Sequence, residues 1–572
     1  MQLIFPNVFY ESYKSIWSIC HAALVACVLS VLRLPPWNSA QNIPCFYYKY
    51  SRTTARAKNK RAEKNKMALV MHSQRLFLII ISSCFVALSS SASLPVKAVN
   101  LGGWLVTEGW MTPWLFDNIP NRQMLDGTQV QLKSLKLNTY ISAESGGDSV
   151  IVADRTSASG WETFKLWRVD ETTFNLRVFQ GQFVRVSTQS SRLVAKATNP
   201  SASEKFVIIR NSNNPSHVRI RAPNGLFVQA KTTNTVTADY SQEGTSWGNN
   251  DPSVFEVTFV GGQLTGEFQL TNGYGSGAAS VLTNHWSTYI TEDDFRSMAN
   301  DKLTAVRIPV GWWIASDQNP PKPFVGGSLQ YLDNAFDWAE RYNLGVIVDL
   351  HAPPGGSQNG NDHSGTRDGT KDWGTDESID RTVGVIDFLA SRYRQRSGLL
   401  AIELINEPWA PDVSLDKLTK YYRAGHQAVR KYTPNAYVIL SNRLGHADRT
   451  ELLQFAKDLD KSVIDVHYYN LYSDMFSSMT AQQNVDYVKN DRSKELSSIM
   501  VADGPSVFVG EWTGEFGHSG GASQKDYQTF AQAQLEVFGR ATFGWAYWSW
   551  KNNDAHNHWS LKWMIDKGYI SL

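Results

Sequence analysis

Eight short apolar runs separated by helical patterns constrain this chain more than any other feature. They are Ala98–Leu101, Ala305–Pro309, Gly345–Leu350, Leu400–Ile405, Tyr437–Ser441, Ser462–His467, Val507–Glu511 and Gly544–Trp548. A run that is apolar at successive positions reads as a parallel strand covered on both faces. Between the runs lie amphipathic stretches: Thr291–Asn300, led by Thr291 with Asp294 three residues on, then Leu329–Tyr342, Ser378–Arg396, Leu415–Tyr432, Glu451–Leu459 and Lys525–Phe538. The class is therefore α/β, and eight strand–helix units predict a TIM (β/α)8 barrel over residues 94–128 and 262–572.

The first run is separated from the second by a segment of different character. From 129 to 261 the chain carries short β-rich pieces and almost no helical periodicity. Tyr140-Ile141-Ser142-Ala143, Phe183-Val184-Arg185-Val186 and Phe227-Val228-Gln229-Ala230 recur at spacings of 43 and 44 residues. Val152-Ala153, Val194-Ala195 and Thr237-Ala238 form a second column, and Phe164, Phe206 and Phe255 a third. Three repeats of four short strands predict an all-β β-trefoil inserted after the first barrel strand; a propeller needs more blades. This segment resembles the fascin-like trefoil module. A lectin-like sugar contact is one reading, and a domain that packs on its neighbour and shapes a cleft rim is the preferred one.

Residues 1–66 carry ten Lys/Arg against two acids, whereas the whole chain is at +2, so the remainder is mildly acidic. That excludes a basic nucleic-acid footprint from the folding part. All four cysteines, Cys20, Cys27, Cys45 and Cys84, precede the barrel, which removes disulfides, thiolate metal sites and a cysteine nucleophile from it. Residues 67–93, with an apolar core from Leu76 and a small-residue tract from Ser89, have the layout of a secretory signal peptide. The 66 residues before it are read as an extension ahead of a start at Met67 or Met71; the competing reading, Ile16–Leu32 as a membrane anchor, is weakened by Ser18, His21 and Ser30. The expectation is a protein that is secreted, extracellular or wall-associated and lacks a stable membrane anchor.

A TIM barrel places its chemistry at the carboxyl ends of its strands. Those ends carry Arg307, His351, Asn406 with Glu407, His467 and Tyr469, Glu511, and Trp548. Two glutamates facing each other across a barrel mouth are the pair a glycosidase needs, one protonating the leaving oxygen and one attacking or activating water. Asn406 is positioned to bond a sugar 2-hydroxyl. Arg307 and Tyr469 are expected to keep Glu511 ionised, while burial and a negative partner raise Glu407 so that it holds a proton. His351 and His467 have the residue type of metal ligands, but no HExxH spacing accompanies them, and hydrogen bonding to substrate or carboxylate is preferred. Glu403, four residues before Glu407 on a strand, is expected ~13 Å deeper and outside the site at ~3.3 Å per residue.

The segments NEP around Glu407, GEW around Glu511, VRIPVGWW, DLHAPPGGSQNG, DVHYYN and WAYWSWK resemble glycoside hydrolase family 5, in particular its exo-β-1,3-glucanase branch, over nearly all of 97–128 and 262–572. The likeness is to plant members with a fascin-like insertion, which are secreted β-glucosidases or exo-β-1,3-glucanases. The resemblance implies Glu407 as acid/base and Glu511 as nucleophile, and Arg307, His351, Asn406, His467, Tyr469 and Trp548 as supporting residues, Trp548 flooring the glucosyl ring. It implies no metal and no cofactor, a β-glucan or β-glucoside as partner, and, given the signal-peptide layout, no actin despite the fascin likeness. Transglycosylation is a natural side reaction. An endo-β-mannanase or cellulase of the same mechanism, or a wall protein that binds carbohydrate through the trefoil, stands as the alternative. The insertion, the missing cysteines of fungal relatives and the amino-terminal extension depart from the family pattern.

Overall fold

In the computed structural model, which describes residues 93–241 and 246–572, eight parallel strands close into a barrel. They are Val96–Asn100, Ala305–Gly311, Gly345–Ala352, Leu399–Glu403, Tyr437–Ser441, Ser462–Tyr468, Ser506–Trp512 and Gly544–Tyr547. The first strand closes the ring, with Ala98 opposite Ala305 on one side and Ala546 on the other. The expectations for residues 1–66 and for the signal peptide lie outside the described residues, Ser93 apart. Among the described residues no helix is long and apolar enough to cross a membrane.

Alternation along each strand explains why the barrel has an apolar base and a polar top. Side chains of a strand point to opposite faces with period two, so every second residue enters the barrel. One inner layer consists of Ala98, Ala305, Ile347, Ala401, Ile439, Val463, Phe508 and Ala546, all buried and packed together. Two residues further along each strand come Asn100, Arg307, Asp349, Glu403, Ser441, Asp465, Gly510 and Trp548. The helices cover the outside, where Leu332, Phe336, Tyr421 and Phe530 pack against the outward residues Val306, Val348, Ile402 and Val509 in one large cluster.

Two details differ from the sequence expectation. The fourth strand stops at Glu403 rather than Ile405, and the helix expected over Glu451–Leu459 shrinks to Leu453–Lys457. Helices Glu267–Tyr274 and Ala278–Thr288 were not expected, because Gly273, Gly275 and Gly277 interrupt their pattern. The capping box at Thr291 is present, with Asp294 Oδ2 accepting from both the amide and the hydroxyl of Thr291.

Among the described residues the insertion contains twelve strands. Six of them form an antiparallel ring in the order Gln129–Ser134, Thr163–Arg168, Thr173–Arg177, Phe206–Arg210, His217–Arg221 and Phe255–Gly261, the last pairing back to the first. The other six pair as Thr139–Ala143 with Ser149–Arg155, Phe183–Val186 with Leu193–Ala197, and Phe227–Thr232 with Thr235–Tyr240. Phe164, Phe206 and Phe255, the third column of the repeat, are buried in a core separate from the barrel's.

Gly544 is where barrel closure is tightest. It has φ +126°, and a Cβ there would lie 2.1 Å from the Val96 carbonyl oxygen across the seam between the eighth and first strands. Gly544→Ala is therefore expected to destabilise the fold by about 2–4 kcal/mol through backbone strain and overlap. An unchanged denaturant midpoint with an unchanged slope contradicts this reading of the seam.

Candidate active site

The polar layer is organised by one guanidinium. Arg307, from the second strand, is fully buried and has five N–H donors, all of them used. Nε donates to Glu403 Oε2 (2.6 Å), Nη1 to Asn100 Oδ1 (2.8 Å) and Glu511 Oε1 (3.0 Å), and Nη2 to Glu403 Oε1 (3.1 Å) and Asn406 Oδ1 (2.9 Å). Asp349 Oδ2 lies 3.2 Å from Nη2. Burial pushes this guanidinium down, but Asp349, Glu403 and Glu511 hold it well above its ordinary value, so it remains a cation.

Glu403 thus belongs to the site's support and not to a deeper layer outside it. The depth expectation assumed a straight strand through Glu407, but the strand ends at Glu403 and the chain bends over it. Glu407 itself has φ +46°, the left-handed region, a conformation that surrounding structure must hold in place. Its amide donates to Ser441 Oγ at 3.2 Å.

A bulge brings the second glutamate inward. Simple alternation from Phe508 through Gly510 would send Glu511 outward. The pairing instead slips between Val466 and His467, so that His467 lies opposite Glu511. Glu511 then meets Arg307 and the Tyr469 hydroxyl, which donates to Oε2 at 2.8 Å. Gly510 makes room: its N–H donates to Asp465 Oδ1 at 2.7 Å, where a Cβ would come within 2.3 Å.

His467 links the two glutamates. Its Nε2 bonds Asp465 Oδ2 (2.9 Å), and its Nδ1 bonds Glu407 Oε1 (2.8 Å) and lies 3.4 Å from Glu511 Oε2. A carboxylate oxygen from each glutamate and a ring nitrogen of His467 all lie within 4.8 Å of one another. Burial pushes the imidazole down, yet Glu511 and Asp465 hold it well above its ordinary range. The consequence for the glutamates reverses the sequence expectation. Burial raises Glu407, but the hydrogen bond and charge of His467 hold it down at about 2, whereas burial pushes Glu511 up to about 7 against His467 and Arg307. These groups hold their protons jointly, and the last proton the two glutamates keep as pH rises lies towards Glu511.

The remaining residues frame the space above. His351 Nδ1 bonds Asp349 Oδ2 at 2.5 Å, and its ring stacks on Trp548 at 5.4 Å and 15°. Trp548 is only 3% exposed and lies over Gly102, where a Cβ would fall 2.6 Å from the indole. Asn406 has its oxygen on Arg307 and its Nδ2 3.3 Å from His351 Nε2, leaving an amide donor at the site. All eight residues singled out from sequence are thus gathered around one space. Reasoning from strand ends missed Asn100, Asp349 and Asp465. A legible signal was present in Asp349-x-His351 and Asp465-x-His467, since residues two apart share a strand face. It also missed His363, whose Nε2 is 3.5 Å from Glu407 Oε2.

Two sets of atoms here have metal-ligand spacing, Glu407 with His467 and Glu511, and Glu403 with Asp465 and His467. Both nitrogens of His467 are already bonded to carboxylates, and Glu403 is bidentate to Arg307, so a cation would have to displace existing partners.

Comparison with known proteins agrees with this geometry. Residues 271–554 match the model described as cellulase (glycosyl hydrolase family 5), and residues 121–260 match one described as a domain of unknown function, DUF7910. The chain is 34% identical over 329 residues to a probable glucan 1,3-beta-glucosidase A of Aspergillus terreus, covering 51% of this chain and 77% of that relative. The chain belongs to glycoside hydrolase family 5. A glucan 1,3-beta-glucosidase of Blumeria graminis is 33% identical over 347 residues, covering 53% of this family 5 chain and 79% of the relative. The rutinosidase structure from Aspergillus niger has a TM-score of 0.46 at 23% identity, covering 53% of this chain and 88% of that one. This family 5 protein is a glycoside hydrolase that cleaves β-glucosidic bonds.

Arg307 lowers the Glu511 carboxyl, so removing its charge lets that carboxyl rise further. In Arg307→Gln the alkaline limb of kcat/KM on an aryl β-glucoside, where the free site loses the proton held towards Glu511, is expected to move to higher pH, with a loss of about 10²–10³-fold from the missing preorganised charge. A limb that stays in place argues against Arg307 as the partner that ionises Glu511.

Proposed function

We propose that the protein is a retaining exo-β-1,3-glucanase or β-glucosidase in which Glu511 is the nucleophile and Glu407 the acid/base. The observation that carries this reading is the approach of the two carboxylates and His467 within 4.8 Å. Retaining glycosidases hold their carboxyl groups ~5–5.5 Å apart, whereas inverting enzymes leave ~6.5–9.5 Å for a water. Glu511 attacks the anomeric carbon as Glu407 protonates the departing oxygen, giving a glucosyl ester. Glu407 then takes a proton from water, or from a sugar or alcohol hydroxyl, which attacks the ester and frees Glu511.

His467 supplies the link this sequence of steps needs. In the substrate-free site the shared proton is held towards Glu511. Donation from Nδ1 to Glu407 and uptake from Glu511 would carry one proton across the pair, leave the imidazole protonated, and leave Glu511 ionised against Arg307 and Tyr469. Asn406 Nδ2 is the donor for the 2-hydroxyl, a contact that strengthens at the oxocarbenium-like transition state. Trp548, with His351 stacked behind it, floors the glucosyl ring.

The two fungal relatives, described as glucan 1,3-beta-glucosidases, support β-1,3-glucan as the substrate class. The family model's description as cellulase favours a second reading, β-1,4-linked glucan or mannan cut by the same mechanism. The insertion over 129–261 we read as a fascin-like β-trefoil of the plant enzyme type, between barrel segments 94–128 and 262–572; the ring of six strands with three hairpins supports this. A role in holding glycan is supported by a groove of about 570 Å³ lined by Lys165, Arg177, Gln180 and Thr370, with Phe179 68% exposed. Secretion rests on the layout of residues 67–93, which also argues against actin as a partner, and the mildly acidic chain after residue 66 argues against nucleic acid.

Glu511→Ala is expected to abolish aryl β-glucoside turnover, with azide restoring part of it as the inverted α-glucosyl azide. Near-normal activity in that variant would sink the assignment. Among laminari-, cello- and manno-oligosaccharides, glucose release from the non-reducing end of the laminari series is expected to be fastest; faster internal cleavage of either other series moves the substrate to the second reading.

A further inference from the structure

The loop 353–375 after the third barrel strand is held by barrel residues such as Gln269 and Asp412, and by the insertion as well. Near its middle is His363. Further on is Asp368, 7% exposed, whose Oδ2 accepts from the indole Nε1 of Trp167 (2.8 Å) and pairs with Arg177, both on strands of the insertion's ring. Lys165 Nζ donates to the Asp368 carbonyl at 3.1 Å, and Arg177 Nη1 to Thr370 Oγ1 at 3.0 Å. The Arg367 guanidinium stacks over Trp167 at 4.1 Å and donates to Asp126 at 2.7 Å.

The two arms of the loop touch. A Cβ on Gly360 would lie 2.8 Å from the Gly369 carbonyl oxygen, and Ser357 Oγ bonds Ser364 Oγ at 2.8 Å. Movement at Asp368 is therefore passed to the stretch bearing His363, since packed backbone arms shift together.

His363 meets the acid in a defined tautomer. The Asn359 side-chain oxygen is taken by the Asn361 amide (3.0 Å), so its Nδ2 is the atom facing His363 Nε2 at 3.1 Å. An amide nitrogen only donates, which leaves Nε2 with its lone pair and the proton on Nδ1, 3.9 Å from Glu108 Oε2. Nε2 is also 3.5 Å from Glu407 Oε2. While the ring is neutral, a lone pair in that position repels a carboxylate and favours its protonated form; the imidazolium, formed only at acid pH, instead holds Glu407 down. Burial pushes the His363 imidazole down to about 4, with His351 adding to the effect, so it is neutral at working pH. The charged and titratable groups facing His363 are Glu407, Glu108, Asp362, Asp349 and His351; those facing Glu407 are His467, His363 and His351, with Glu511 across the site.

We propose that His363 is a positioning residue that favours the protonated form of Glu407, and that the insertion sets its place by gripping Asp368. This rests on Glu407 being the acid. The insertion then acts on the chemistry through the loop, apart from any glycan it holds. No contact between the insertion and substrate is needed.

A double-mutant cycle tests it, using the full chain and an aryl β-glucoside. His363→Ala is expected to lower kcat/KM about tenfold, a share of the general-acid contribution, and to move the alkaline limb of kcat, which reports the substrate-bound site where Glu407 holds the proton, to lower pH because Glu407 gives it up sooner. Asp368→Ala is expected to move the same limb the same way, and the double variant to be no worse than His363→Ala. Additive losses, or a limb that Asp368→Ala leaves in place, overturn the proposal. Trp167→Phe, which removes one donor to Asp368 and keeps an aromatic ring, repeats the test at smaller size if Asp368→Ala does not fold. An unaltered enzyme that cleaves the glucoside, a dead Glu511→Ala and an additive cycle together remove this inference alone and leave the assignment of the reaction intact.

Discussion

Everything at the top of this barrel depends on a single buried cation being fully satisfied. Arg307 reaches Asn100 on the first strand, Asp349 on the third, Glu403 at the end of the fourth, Asn406 just beyond it, and Glu511 on the seventh. Three carboxylates and two amides alone could not be buried there, because an unpaired charge in a low-dielectric interior costs several kcal/mol. With the guanidinium at the centre, each carboxylate has a donor and the five strands acquire a common reference point. The polar layer is thus a structural joint and a chemical device at once. Breaking it would expose the same groups that the reaction uses.

That joint also accounts for the division of protons. Arg307 and Tyr469 hold one glutamate, while His467, fixed by Asp465, holds the other. In the empty site the imidazole's charge wins on Glu407 and burial wins on Glu511. Arrival of a neutral sugar leaves the fixed charges where they are, and His467 offers a proton a short path from one glutamate to the other. The loop bearing His363 closes the other side of Glu407, and its far arm is fastened both to the insertion, at Asp368, and to the barrel, through Gln269 and Asp412.

Much of this could be read from residue order. The eight strands were legible because runs such as Val346–Leu350 and Val463–Val466 are apolar at every position but Asp349 and Asp465, and the three repeats because Phe164, Phe206 and Phe255 all face one core. The polar layer was legible two residues above the apolar one, and Asp349-x-His351 and Asp465-x-His467 announced it. Other features were hidden for physical reasons. Glu511 points inward only because pairing slips at Gly510, which depends on the neighbouring strand. Glu403 was misplaced because a constant rise per residue takes no account of the bend at Glu407. The pKa order was inverted because it hinges on His467 standing between the glutamates, a distance no spacing reveals. His363 reaches the site through a loop tied to Arg177, 191 residues from Asp368 in sequence, and local pattern carries no trace of that.

The central claim is that Glu511 becomes bonded to the sugar while Glu407 handles the proton. Trapping with a 2-deoxy-2-fluoro-β-glucoside bearing a good leaving group, followed by proteolysis and mass spectrometry, addresses it most directly. The account predicts one fluoroglucosyl adduct on the peptide that contains Glu511, formed as activity is lost. An adduct on Glu407, or turnover that yields the inverted sugar with no adduct at all, would contradict it.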